Sequence, residues 1–335
     1  MKKTLFITIF SVFAFFFFAC GNDKSIQQDS NITEPNTSTK EKARVEVSYK
    51  PLVLHDKGSS FEIEHSLGKT EVIKNPSRVI IFDLGALDTF DALGLNERVV
   101  GVTSKTLPKY LEQFKDKTSV GAVNEIDFEK VNELQADLII ISGRQAKFFD
   151  KLNQIAPTIY VGTDNANFLN SFENKIITLA TLFDKQEEAK AQLEAIKADI
   201  ESKKAELDPN KKALIVLTNA NRISVFGEGS RFGIIHDVLG IKAADKSIKT
   251  STHGNRADSE YILKTNPDYL FVVDRNVIVG NQERAQTSLN NPLVAKTNAV
   301  INGKIIYLDP EYWYLSGGGL ESFKVMVDEV FKALK

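Results

Sequence analysis

The amino-acid sequence predicts an α/β protein of two lobes, each a small, mostly parallel sheet flanked by helices, joined by a single long connecting helix. Three observations lead there. Short apolar runs alternate with helix-like stretches in both halves of the 335-residue chain, the pattern of parallel strands with helical crossovers. Between the halves, residues 169–209 keep helical spacing amid many Lys and Glu residues. The halves also echo each other. Glu129 precedes Asp137 by eight residues and Arg144 follows it by seven, and the same offsets separate Glu260, Asp268 and Arg275. Both aspartates open an apolar run, so Arg144 and Arg275 stand just past the carboxyl ends of matching strands, where open α/β sheets bind ligands.

The chain begins as an export signal. Lys2 and Lys3 are followed by a run of about 15 residues, Leu5 to Ala19, that is apolar apart from Thr8 and Ser11 and ends at Cys20. Such a run is short for a membrane span and suits a signal peptide over residues 1–19. Phe17-Phe18-Ala19-Cys20 resembles a lipobox, with Phe17 where Leu is usual, so Cys20 is the expected lipid anchor. Residues 20–57 are then a polar tether rich in Ser, Thr, Asn and Gln, too poor in apolar residues to fold alone. A flexible segment of that length spans on the order of 30 Å.

Residues 58–168 form the expected N-terminal lobe. Phe61–Glu64 and Thr70–Ile73 alternate as a hairpin with its turn near Leu67-Gly68. Strands follow at Val79–Phe82, Val99-Val100, Leu138–Ile141 and Thr158–Val161, with helical patterns over 87–93, 109–114, 128–134 and 148–155 between them. In the connecting helix, Asn170 and Glu173 are spaced as a capping box. Phe172, Ile176, Leu179, Ala180 and Phe183 share a face, Asp184 is a candidate break, and Asp208-Pro209-Asn210 ends the segment. The C-terminal lobe, 210–335, has strands at 213–217, 269–273 and 305–308 and a closing helix from Gly319 to Leu334.

Composition excludes several functions. A net charge of −2 leaves no basic footprint for nucleic acid. A single cysteine excludes a disulfide framework or a thiolate metal site in the folded region. Leu67-Gly68-Lys69-Thr70 lacks the upstream glycine of a phosphate loop, and Gly227–Gly233 has its last glycine one place too late for a dinucleotide fingerprint. The four histidines, His55, His65, His236 and His253, form no metalloprotease pairing. His236 reads as a packed or capping histidine. Nothing in the chain forms a catalytic constellation, and no cofactor of its own is expected.

Five segments carry a resemblance to a known family: Leu138–Phe148, Ser230–Gly240, Thr252-His253-Gly254, Phe271–Val277 and Tyr307–Leu315. Together with the lipobox-like start and the two helix-linked lobes, they resemble the class III periplasmic binding proteins of ABC importers for siderophores, haem and cobalamin. The match is nearest the enterochelin-uptake lipoproteins and covers the chain from about Phe61. It implies a monomer, exported and lipid-anchored to a cell-envelope membrane, that carries Fe(III) as a siderophore complex to an importer permease. Its functional domain would lie in the periplasm or on the outer face of the cytoplasmic membrane. It implies that Arg144, Arg231 and Arg275 line the cleft and face an anionic ferric catecholate. Lys147, three residues after Arg144, is a further candidate contact, with a solvated surface lysine as the alternative. It further implies that His253 and Tyr314 ligate the iron, with Tyr312 as the neighbouring decoy. Glu129 and Glu260, one per lobe, become the permease-docking carboxylates.

The chemistry of these residues is consistent with that role. Guanidinium stays protonated and offers a planar fork of donors to catecholate oxygens. Phenolate and imidazole suit ferric iron, and a tetradentate bis-catecholate leaves two coordination places open where a hexadentate tris-catecholate leaves none. Rival readings are the same fold carrying haem, cobalamin or a hydroxamate, a zinc or manganese carrier, and a two-lobed metalloenzyme. A neutral or cationic siderophore needs no arginine cluster, the chain has no His-rich loop, and no nucleophile–base pair is present.

Overall fold

The computed structural model describes residues 47–280, 282 and 284–335. The expected signal peptide, Cys20 and most of the tether lie outside the described residues, and none of the described helices is long and apolar enough to cross a membrane.

The first element is an antiparallel sheet of β1 (Val53–Asp56), β2 (Ser60–His65) and β3 (Gly68–Ile73). His65 pairs with Gly68, which puts the turn at Ser66-Leu67, one residue before its expected place. Phe61, Ile63 and His65 of β2 and Thr70 and Val72 of β3 are buried on one face. The Thr70 hydroxyl donates to the Thr158 carbonyl at 2.8 Å and ties this sheet to the lobe behind it. β1 corrects the tether boundary at residue 57. Its pairing with β2, and the bonds of Leu52 N and O to the Asn174 amide at 2.8 and 2.9 Å, bring residues 52–56 into the fold despite their weak apolar pattern.

The N-terminal lobe is a five-stranded, wholly parallel sheet of β4 (Val79–Ile81), β5 (Val99–Val102), β6 (Thr118–Ser119), β9 (Leu138–Ile141) and β10 (Thr158–Tyr160), in the order β10-β9-β4-β5-β6. A short ribbon, β7 (Gly121–Ala122) with β8 (Glu125–Ile126), interrupts the series. The inner strands read as continuous apolar runs because helices cover both faces: α1 (Leu84–Ala92), α2 (Phe128–Glu133) and α3 (Phe149–Asn153) lie between them in sequence.

The expected single connecting helix is two helices, α4 (Phe168–Leu182) and α5 (Gln186–Lys204). Asp184 breaks it in the left-handed region at φ 55°, and Asn75 N caps the Leu182 carbonyl at 2.8 Å. Asn170 is not the N-cap: the helix begins two residues earlier, and the Asn170 amide donates to Asn167 Oδ1 at 2.8 Å. The C-terminal lobe is a mixed sheet of β11 (Lys212–Asn219), β12 (Arg222–Phe226), β13 (Lys242–Ala243), β14 (Asn255–Ala257), β15 (Tyr269–Asp274) and β16 (Ile305–Leu308). Its order is β14-β12-β11-β15-β16, with β13 beside the start of β11. β11, β15 and β16 are parallel, whereas β12 runs antiparallel to both its neighbours, β11 and β14.

One apolar cluster runs through both lobes. It joins Leu84, Leu87 and Phe90 of α1 with Phe172 and Ile176 of α4 and Phe323 and Phe331 of the closing helix Leu320–Leu334. The Phe172 and Phe323 rings are 4.8 Å apart at their centroids. Burying each such side chain contributes about 2–3 kcal/mol, so the helices between the sheets bind the lobes into one body.

The sequence echo has a structural cause. Asp137 Oδ2 accepts Ser77 N and Arg78 N at 2.9 Å, just before β4, and Asp268 Oδ2 accepts Lys212 N at 3.0 Å, at the start of β11. Each aspartate thus ties the entry of its own strand to that of the parallel neighbour, once per lobe.

Candidate functional site

A cleft of about 1130 Å³ lies where the carboxyl ends of the two sheets face each other, and Arg144, Arg231, His253, Trp313 and Tyr314 are among its walls. Arg144 follows β9 in a turn closed by Gln145 N to the Ser142 carbonyl at 3.0 Å. The buried Gln145 amide locks that turn by donating to the Val123 carbonyl at 2.7 Å. Arg231 follows a turn in which the Ser230 hydroxyl donates to the Gly227 carbonyl at 2.5 Å and Gly229 N to Asp237 Oδ2 at 2.7 Å. Gly229 has φ 65°, a conformation glycine adopts without strain. Arg275 opens a short helix after β15, behind the N-cap Asp274; contrary to expectation it is not among the residues lining the cleft, and it meets the site through Tyr314.

The three guanidiniums converge on Tyr314. Arg144 Nη2 and Arg231 Nη2 donate to the Tyr314 carbonyl at 2.9 and 2.5 Å, Arg144 Nη1 donates to the Leu315 carbonyl at 3.2 Å, and Arg275 Nε donates to the Tyr314 hydroxyl at 2.8 Å. Their central carbons stand 5.9, 4.2 and 5.7 Å from the Tyr314 ring centroid, in the order Arg144, Arg231, Arg275. Burial pushes the Tyr314 phenol up, but Arg231, then Arg275 and Arg144, outweigh it and hold the group below the usual tyrosine range. The cleft therefore presents clustered positive charge around a phenol biased toward its anion.

Tyr314 is carried by a π-helical turn, Glu311–Ser316, a wide turn that recurs at functional sites. The N-terminal lobe braces it. Lys109 N donates to Glu311 Oε2 at 2.8 Å, and the Tyr110 ring stacks on Tyr312 at 4.4 Å. The fully buried Asp88 of α1 accepts Glu321 N at 2.8 Å, Ser322 N at 2.7 Å and the Tyr110 hydroxyl at 3.1 Å. Burial pushes its carboxyl up against the lowering effect of those donors. A Cβ at Gly319 would stand 2.3 Å from the Asp88 carboxyl carbon, so only glycine lets the closing helix begin so near α1. Tyr312, stacked on Tyr110, is not among the residues lining the cleft.

His253 is exposed on the loop before β14 and lines the same cleft as Tyr314. Trp313 is buried, its indole N–H donating to Glu329 Oε2 at 2.8 Å. Lys147 is not brought to the cleft wall: it is exposed, with its ammonium 4.7 Å over the Phe148 ring. Glu129 and Glu260 are exposed at matching places, each two residues after the N-cap aspartate of its helix, Asp127 and Asp258. Neither carboxylate forms an ion pair among the described residues. His236 is packed, its Nδ1 bonded to the Ile241 carbonyl at 2.8 Å, and burial holds it below the usual histidine range. His55 is on β1 with Glu62 and Glu64 nearby, but Lys69 Nζ already occupies the pair at 2.5 Å from Glu64.

The profile of periplasmic binding proteins matches residues 79–312. The chain belongs to the periplasmic binding protein family. It is 42% identical over 340 residues to the petrobactin-binding protein YclQ of Bacillus subtilis, covering 100% of both chains. It is 33% identical over 279 residues to the ferric-anguibactin-binding protein FatB of Vibrio anguillarum, covering 81% of this chain and 86% of that one. The crystal structure of YclQ superposes with a TM-score of 0.78 at 44% identity over 85% of this chain and 99% of that one. That of the catecholate-siderophore binding protein VctP of Vibrio cholerae gives 0.73 at 30% identity over 82% and 99%. The fold is the two-lobed class III arrangement, and the family is one of binding proteins, not enzymes.

This periplasmic binding protein also has cleft residues that the sequence reading missed. Asp83, just past β4, lines the cleft, and Lys175 of α4 lies 3.6 Å from it in a small chamber that adjoins the cleft. The signals were present. Asp83 follows an apolar strand as Arg144 does, and Lys175 falls on the apolar face of its helix, three residues after Phe172 and four before Leu179.

Proposed function

We propose that the chain binds a ferric catecholate siderophore outside the cytoplasm and hands it to an ABC-type importer. The observation that carries this reading is the convergence of Arg144, Arg231 and Arg275 on Tyr314. A ferric catecholate complex spreads negative charge over many oxygens, and three guanidiniums from two lobes match it. A neutral hydroxamate complex gains nothing from such a cluster. The names of YclQ, FatB and VctP, as siderophore-binding proteins, support the class of cargo. The enterochelin resemblance belongs to the same reading at a finer level.

Tyr314 and His253 are the proposed protein ligands of the iron. A phenol held below its usual range gives up its proton to a hard cation more readily, and an exposed loop imidazole can swing toward the same space. A tetradentate bis-catecholate would leave two places for them. Glu129 and Glu260 are the proposed permease contacts, supported by their exposure and equivalent positions on the two lobes. Cys20 is the proposed membrane anchor. Changing it to Ser is expected to abolish fatty-acid labelling, and a labelled variant would refute the anchor.

The deciding experiment titrates purified protein with ferric tris-catecholate, bis-catecholate, hydroxamate and haem, following Trp313, the chain's one tryptophan. Submicromolar binding of the catecholates with none of the hydroxamate is the expected result. Preference for haem or hydroxamate would overturn the reading.

A further inference from the structure

We infer that a side chamber of the cleft is a subsite for a carboxylate carried on the siderophore's backbone, with Lys175 as its receptor. The inference rests on the cleft being the siderophore site.

The chamber holds about 190 Å³ and adjoins the cleft, sharing Asp83, Ser142, Tyr160 and Ser316 with it; Thr163 and Lys175 complete its polar lining. Lys175 is 3% exposed and lies on the inward face of α4. An ammonium so buried requires oxygen acceptors around it. Among the described residues its one partner is Asp83 Oδ1, and 3.6 Å exceeds hydrogen-bonding distance. That same oxygen accepts Ala86 N at 2.8 Å as the N-cap of α1, so it is held by its own helix. The wall at Gly318 is close: a Cβ there would stand 3.4 Å from Lys175 Nζ.

The remaining groups tilt the balance toward donors. The Ser142 and Thr163 hydroxyls make no side-chain hydrogen bond among the described residues and can donate into the chamber, and Arg144 stands two residues from Ser142 on the cleft wall. Against them stands one carboxylate, already engaged. A group that only accepts completes such a set, and a carboxylate supplies two accepting oxygens to an ammonium and two hydroxyls. The cleft thereby divides its work: the arginines meet the iron-bound catecholates, and the chamber reads the linker between them. Lys175 becomes a specificity residue rather than a structural buried ion pair.

The test uses two ferric bis-catecholates with identical iron-binding ends and equal linkers, one bearing a central carboxylate and the other a hydrogen, titrated into the parent and the Lys175→Met protein. The parent is expected to prefer the carboxylate form by about tenfold, the value of one charged hydrogen bond. In Lys175→Met the ratio of the two affinities should collapse to near one. Where that variant melts early, Asp83→Asn/Lys175→Met removes the stranded carboxylate and gives the same readout. A parent without preference, or a variant that weakens both ligands equally, would overturn the subsite while leaving the siderophore reading intact. A preference for an amine-bearing linker, lost in Asp83→Asn, would make Asp83 the reader and overturn it too. If neither complex binds the parent, the siderophore reading falls and takes the subsite with it.

Discussion

Replacing Arg231 with Met removes the cation nearest the Tyr314 ring while keeping an unbranched, flexible side chain. Arg231 stands 4.2 Å from the Tyr314 ring centroid and donates to the Tyr314 carbonyl at 2.5 Å. Its charge is also the largest single influence that lowers the phenol. Two effects follow. One charged hydrogen bond to the cargo is lost, worth about 1.5–3 kcal/mol, so Kd for a ferric catecholate should rise about 10- to 150-fold. The phenol should also titrate at higher pH than in the parent, because burial still raises it and one opposing charge is gone. The sign is fixed by the direction of the shift. The Tyr314 phenol lies below its unfolded value, so its ionised form stabilises the fold above the unfolded value, and that contribution disappears as pH falls through the folded one. Iron held by the phenolate should weaken over the same lower window, and in Arg231→Met that weakening should begin at higher pH. Ultraviolet difference titration of the ligand-free protein, with Tyr314→Phe to assign the signal, reads the phenol directly. Fluorescence titration at several pH values reads the affinity. Unchanged phenol titration together with unchanged Kd would refute the electrostatic account, because Arg231 is the nearest of the three cations to the Tyr314 ring.

Further outcomes are expected at three places. Tyr314→Phe and His253→Ala should each alter the charge-transfer band and circular dichroism of bound ferric bis-catecholate while changing the tris-catecholate spectrum little; identical spectra in all three proteins would exclude both as iron ligands. Asp88→Asn keeps the shape but replaces an acceptor of three hydrogen bonds by a group that cannot accept them all. It should cost about 2 kcal/mol of stability in denaturant unfolding, and an unchanged midpoint would mean that the brace between α1 and the closing helix contributes nothing. Charge reversal at both Glu129 and Glu260 should reduce siderophore uptake by cells without changing Kd in solution, whereas undiminished uptake would leave these carboxylates only their local role at helix N-termini.

Much of this architecture was legible without coordinates. Leu138–Ile141, Tyr269–Asp274 and Ile305–Leu308 are apolar runs of strand length flanked by polar turns, and burial on both faces of a parallel sheet is what makes such runs continuous. The repeated offsets around Asp137 and Asp268 go with a shared task, since each aspartate accepts a backbone N–H at the entry of a neighbouring strand, and the arginine seven residues on then reaches Tyr314 in both lobes. Local pattern was weaker where partners lie far away in the chain. β1 is an edge strand with few apolar residues, held by β2 and by Asn174, so composition alone assigned it to the tether. Asp184 reads as a possible break in any helical stretch; Asn75, 109 residues earlier, caps the carbonyl that the break leaves open.

The same distinction divides the candidate site. An arginine after a strand and a tyrosine before a closing helix are local facts, and the sequence by itself determined that both would stand at the ends of their elements. That three guanidiniums meet on one tyrosine, that Tyr312 turns instead to Tyr110, and that Lys175 and Asp83 share a chamber were decided only by the tertiary structure. These depend on side chains from separate stretches of chain approaching within a few ångströms. Charge–charge and hydrogen-bond energies change steeply over such distances, and residue spacing along one strand or helix carries no information about them.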